Sequence, residues 1–150
     1  MVQPSFVHRL TKVLVEVMFY GGILCCIAVP LIMPFLARYF GYRQETVMPL
    51  TAILLASGMS ALYILRQLKA MFRSLVGGDP FVEANVVCLR KCSVASFLIA
   101  IIYIVKIVFW FTIATSIIII IFSLLGLFCL TLKDVFKQAV AYKEENDWTV

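Results

Sequence analysis

The stretch Ser93–Leu132, SVASFLIAIIYIVKIVFWFTIATSIIIIIFSLLGLFCLTL, carries one charge, Lys106, in 40 residues. As a single helix rising 1.5 Å per residue it would be about 60 Å long, roughly twice the hydrocarbon thickness of a bilayer. Two membrane spans must therefore lie in it, folded back on each other. The reading places the third span at about 86–108 and the fourth at about 112–132. Tyr103, Lys106 and Trp110 stand near the turn, where aromatic rings and snorkelling cations settle at an interface. Lys106 is accordingly read as an interfacial cation rather than a buried one. No glycine or proline marks the turn itself.

Composition extends this conclusion to the whole chain. Hydrophobic residues make up 63% and charged residues 14% of 150, against an apolar share of about 45–50% in soluble domains. Four spans of about 20 residues leave no room for a separate soluble domain. The expectation is an all-α integral membrane four-helix bundle, one domain over 1–150. The first span is read at about 13–37, behind His8, Arg9 and Lys12. Its apolar run exceeds a signal-peptide core and shows no small-x-small cleavage site, so it should remain as a membrane helix. Gly21 and Gly22 permit close helix approach, and Pro30 and Pro34 should kink or end its outer third, with a bend near Cys26. Pro49 is read as opening the second span, about 49–68. Ala52, Ala56 and Ser60 form a small-residue stripe on it, suited to packing within the chain or to a homo-oligomer.

Basic residues orient the chain, because loops rich in Lys and Arg stay in the cytoplasm. With both termini inside a cell membrane, ten basic residues are cytoplasmic: Arg9, Lys12, Arg66, Lys69, Arg73, Arg90, Lys91, Lys133, Lys137 and Lys143. Three, Arg38, Arg43 and Lys106, are outside. Arg38, Tyr39, Tyr42 and Arg43 are the only concentrated outer contacts that a sensor of external signals could use.

The cytoplasmic elbow, 66–92, reads RQLKAMFRSLVGGDPFVEANVVCLRKC. Gly77 and Gly78 can close a helix in the left-handed conformation, Asp79 is an N-cap type and Pro80 suits a first helical position. Before the glycines, Leu65, Leu68 and Phe72 keep helical spacing while Arg66, Lys69 and Arg73 fall on the other side, a basic amphipathic extension. This face suits anionic lipid headgroups or an acidic partner segment. After the glycines, Phe81, Asn85 and Leu89 recur every fourth residue. Asn85 is read as fixing the elbow's angle by hydrogen bonding to the basic extension or the C-terminal helix, ahead of direct partner contact.

A C-terminal helix and acidic tail, 133–150, follow the fourth span. Leu132, Val135, Phe136, Ala139 and Val140 continue the apolar stripe. Glu144, Glu145, Asp147 and Trp148 then end the chain with a charge opposite to the elbow's. The tail reads either as a frayed end or as a recognition peptide, folding back on the basic extension or binding a cytoplasmic protein.

Chemistry is sparse. Glu16, inside the first span, is read chiefly as an interfacial partner of Lys12 one turn away. Its alternative is the proton or cation site of a small exporter. Cys25, Cys26, Cys88, Cys92 and Cys129 read as reduced, buried thiols. Cys88 and Cys92 lie one turn apart, but His8 is the lone histidine, so no metal and no cofactor is expected. No nucleophile with its base and no carboxylate pair is present, and no enzyme is expected.

The elbow GDPFVEANVVCLRK, Gly78 to Lys91, is similar to the G-x-P-F-x(3)-N-x(3)-L-R type motif of the bacterial membrane family catalogued as domain of unknown function 2975. The tail KEENDWTV resembles that family's E-N-D-L-T-I type ending, with Trp148 where leucine is usual. The resemblance covers nearly the whole chain. It implies four spans with internal termini and, by gene association, control of a small cytoplasmic helix-turn-helix regulator. The expected function is thus a non-enzymatic partner-binding module acting through its inner face, without direct nucleic-acid contact. The sites named for it are Arg66, Lys69, Arg73, Phe81, Asn85, Leu89, Glu144, Glu145, Asp147 and Trp148. The alternative is a small, dimeric proton-coupled exporter using Glu16.

Overall fold

Where apolar blocks exceed the length of a span and few breakers interrupt them, the backbone has one way to satisfy its own polar groups in lipid, the helix. In the computed structural model the chain is accordingly four helices: α1 Phe6–Tyr39, α2 Gln44–Val76, α3 Glu83–Phe109 and α4 Ile113–Trp148. The residues described are 6–41, 43–78 and 80–148, with side chains from 9 onward. Asp79, the expected N-cap, therefore lies outside them, as do Tyr42, the His8 side chain and the tail's Thr149 and Val150. All four helices are long and apolar enough to cross a membrane.

The α3–α4 turn falls at 110–112, within the expected window. Lacking glycine, it closes on backbone bonds: Trp110 N–H donates to the Lys106 carbonyl at 2.9 Å, and Thr115 N–H to the Thr112 carbonyl at 2.9 Å. At the first turn Gly41 has φ +69°, a conformation that disfavours a side chain. The prolines do not mark helix ends. Pro30 and Pro34 do not end α1, which runs on to Tyr39. Pro49 does not open α2, which starts at Gln44 and carries Pro49 internally. A proline costs one hydrogen bond, and the long apolar faces on either side keep the helix going.

Successive helices run antiparallel and pack in series, α1 on α2, α2 on α3 and α3 on α4. The core lies along α3, where Cys92, Ala95, Ile99 and Tyr103 meet Ile64 of α2 and Cys129 of α4. Small residues set the closest approaches. A Cβ on Gly126 would stand 2.9 Å from the Phe97 ring, and one on Gly58 would stand 2.9 Å from Cys26 Sγ. The Ala52–Ala56 stripe does not do this work, because both alanines are exposed and Ser60 returns its hydroxyl to the Ala56 carbonyl. Ser57 and Gly58, one step around the helix, face the interior of the fold instead. Cys25 is likewise exposed rather than buried, although all five cysteines are free.

Candidate functional site

Four antiparallel helices bring the start of α1, the elbow and the end of α4 to one end of the molecule. At the elbow α2 closes on Gly77 at φ −71°, with Gly78 at φ +91° as the one left-handed residue of the pair. Their N–H groups donate to the Arg73 and Leu75 carbonyls, so orphan carbonyls of the last turn are satisfied.

Asn85 reaches back across this break. Its Nδ2 donates to Ser74 Oγ at 2.7 Å and to the Pro80 carbonyl at 2.7 Å, and Ser74 Oγ lies 2.9 Å from both Asn85 Oδ1 and the Met71 carbonyl. A buried amide requires such partners, and Asn85 is 1% exposed. The side chain thus ties the basic extension of α2 to the start of α3, the angle-fixing role expected for it. It is not open to a partner. Leu89, 3% exposed, is equally interior. Both residues therefore drop out of the expected docking face.

Phe81 is a second correction. Helix α3 begins at Glu83 with an extended Val82 as its N-cap, so Pro80 is not the first helical residue and Phe81 does not share a helical face with Asn85. The Pro80 carbonyl is engaged by Asn85, and this holds residues 80–82 off the helix. Freed from the helix, the Phe81 ring packs on Phe136 of α4, centroids 5.5 Å apart.

Among the cations, Arg66 and Arg73 are exposed while Lys69 is half-buried. Lys69 Nζ stands 3.5 Å from Glu16 Oε1 and lies over the Phe19 and Tyr20 rings at 5.7 and 5.5 Å. Glu16 thus takes its ion pair from α2, not from Lys12. The sequence holds no signal for this pairing, because it depends on how α1 is rotated against α2.

Helix α4 continues past Leu132 as expected, with Val140 buried beside the elbow end. Glu144, Glu145 and Asp147 are exposed, and Trp148 is 90% exposed at the helix terminus. The acidic end does not fold back on the basic extension, since α4 approaches the backbone of α3 and not that of α2.

At the opposite end a polar group was missed by sequence reasoning. Lys106 Nζ donates to the buried Thr115 Oγ1 at 2.9 Å and lies over the Tyr103 ring, and Tyr103 Oη is 3.4 Å from Ser57 Oγ. Lys106 is half-buried in the last turn of α3, where a cation complements the helix dipole. Among the described residues no group of three or more His, Cys, Asp or Glu side chains could hold a metal.

No curated protein and no solved structure matches the chain. One family does, over residues 7–150, described as "Protein of unknown function (DUF2975)". With the match spanning all four helices, the elbow and the end of α4, the chain belongs to that family.

Proposed function

We propose that this multi-pass protein is a non-enzymatic, partner-binding module of the cell membrane, with both termini cytoplasmic. On this reading it holds a small helix-turn-helix DNA-binding regulator against its elbow end and makes no nucleic-acid contact itself. The observation that carries the reading is Trp148, a large aromatic 90% exposed at the tip of a continuous helix. Sixteen residues from Lys133 to Trp148 project it about 24 Å beyond the fourth span. Exposed aromatics on a rigid support are favoured anchors of protein interfaces.

The surface on offer is Trp148 with Glu144, Glu145 and Asp147 on one side, the partly exposed Phe81 in the middle, and Arg66 and Arg73 on α2. The Asn85–Ser74 lock supports the idea by holding the elbow in one arrangement, which lowers the ordering cost of association. The test is to read the neighbouring genes for a small helix-turn-helix protein and co-express it with this chain, followed by membrane fractionation and photo-cross-linking from position 148 or 81. Recovery of the regulator in the membrane fraction, lost on Trp148→Ala, is the expected result. A regulator that stays soluble whether or not this protein is present overturns the reading.

The rival is a dimeric, proton-coupled exporter working through Glu16. The exposed Ala52–Ala56 stripe offers it a dimer contact, and the Glu16–Lys69 pair offers a carboxylate whose partner a proton could displace. Transport that survives Glu16→Gln would remove that mechanism, and an absence of transport would remove the class.

A further inference from the structure

Between the first turns of α1 and the last turns of α2 lies a cleft of about 130 Å³ whose polar lining is Lys12, Glu16, Lys69 and Arg73. Three cations face one carboxylate there, an excess of two positive charges. Glu16 neutralises Lys69 at 3.5 Å, whereas Lys12 and Arg73 hold no ion pair among the described residues. The remaining lining is apolar, with Val15 and Phe72 in the wall.

Depth and openness say what this cleft can receive. Lys12 immediately precedes Val13, where α1 becomes apolar, and Lys69 and Arg73 lie one and two turns beyond Leu65, where the apolar run of α2 ends. Both sides of the cleft therefore sit at the boundary between hydrocarbon and water. Helix α1 packs on α2 alone, so neither α3 nor α4 closes the cleft laterally. We propose that it binds the headgroup of an anionic phospholipid, the phosphate between Lys12 and Arg73 and the glycerol and upper chains against Val15 and Phe72. Free phosphate would leave that apolar wall uncovered, and an acidic peptide would have to enter at the level of the lipid surface. The inference stands independently of any protein partner.

The experiment uses the full chain in nanodiscs of phosphatidylcholine doped with phosphatidylglycerol. Lipid retained through neutral-detergent extraction is counted by native mass spectrometry. Phosphatidylglycerol should be retained in preference to phosphatidylcholine. Lys12→Gln and Arg73→Gln should each lower that preference about fivefold, the factor one interfacial cation contributes, while Lys12→Arg keeps it. Glu16→Gln should raise it. Arg90→Gln with Lys91→Gln, cations outside the cleft, should leave it unchanged, and an equal loss there overturns the site in favour of diffuse attraction. Displacement by inorganic phosphate or by a poly-glutamate peptide also overturns it, assigning the cleft to a free anion or to a protein segment. Should the variants fold poorly, the wild-type chain suffices. A photoactivatable phosphatidylglycerol should cross-link within 12–16 and 69–76, and labelling confined to other segments overturns the proposal.

Discussion

Asn85 Nδ2 and Ser74 Oγ meet at 2.7 Å across the break between α2 and α3, and the same amide holds the Pro80 carbonyl. One buried side chain thereby satisfies the Pro80 carbonyl and joins the last turns of α2 to the start of α3. Asn85→Leu removes the donor and leaves the Pro80 carbonyl and the Ser74 hydroxyl without that partner, at a cost of about 1–3 kcal/mol. The variant should lose stability in detergent melts, and amide exchange should rise first at 74–82. Exchange that rises evenly over all four helices would show that the lock is not local.

The two glycines of the elbow are not equivalent. Gly78 sits at φ +91° and Gly77 at φ −71°. Gly78→Ala should destabilise by about 1 kcal/mol, because a Cβ disfavours the left-handed region. Gly77→Ala, in an ordinary helical conformation, should cost less, although its Cβ would stand 3.4 Å from the Arg73 and Ser74 carbonyls. Parallel thermal melts of the two variants check the order. Equal losses would mean that the backbone conformation of Gly78 is not the deciding difference.

How much of this was legible beforehand depends on the kind of contact involved. The spans, the 110–112 turn and the elbow follow from length and polarity, which act along the chain. The partners of Glu16, Ser57 and Lys106 do not, because they depend on the rotation of one apolar helix against another. Helices that are apolar all round announce no preferred face. Ala52, Ala56 and Ser60 illustrate the difficulty: their spacing suits close packing as well as that of Ser57 and Gly58, and only the tertiary arrangement separates them. Phe81 departs from the helical spacing of Asn85 and Leu89 because Asn85 captures the Pro80 carbonyl and α3 begins only at Glu83, a local competition that proline statistics do not include.

Gly126 gives the packing argument its most stringent test. The Phe97 ring lies 2.9–3.1 Å from where a Cβ would stand, with three ring atoms in range, whereas at Gly22 the obstacle is the end of the flexible Leu62 side chain. Gly126→Ala should therefore cost about 1–3 kcal/mol, and Gly22→Ala should cost less because Leu62 can change rotamer. Thermal melts in one detergent rank the two variants. A reversed order would mean that the α1–α2 contact is tighter than the one between α3 and α4.

Lys106 and Thr115 test whether the far-end polar group is structural. Lys106→Gln keeps a donor for Thr115 Oγ1 and should be nearly neutral. Lys106→Leu removes the donor from a buried hydroxyl and should cost about 1–3 kcal/mol. Comparable stabilities for the Gln and Leu variants would show that the hydroxyl finds another partner within α4.

The pair between Glu16 and Lys69 separates a structural ion pair from a working carboxylate. Its two side chains are 38% and 28% exposed, so solvent screening limits the pair to about 0.2–1 kcal/mol. Glu16→Gln should leave the fold and its melting point almost unchanged. The exchange Glu16→Lys with Lys69→Glu should recover most of the stability that either single reversal loses, because like charges then become opposite ones again. If the exchanged pair recovers stability but not regulator retention or transport, whichever activity the wild type shows, then the carboxylate at 16 serves more than packing. If both return together, the pair serves only to set α1 against α2, in either polarity.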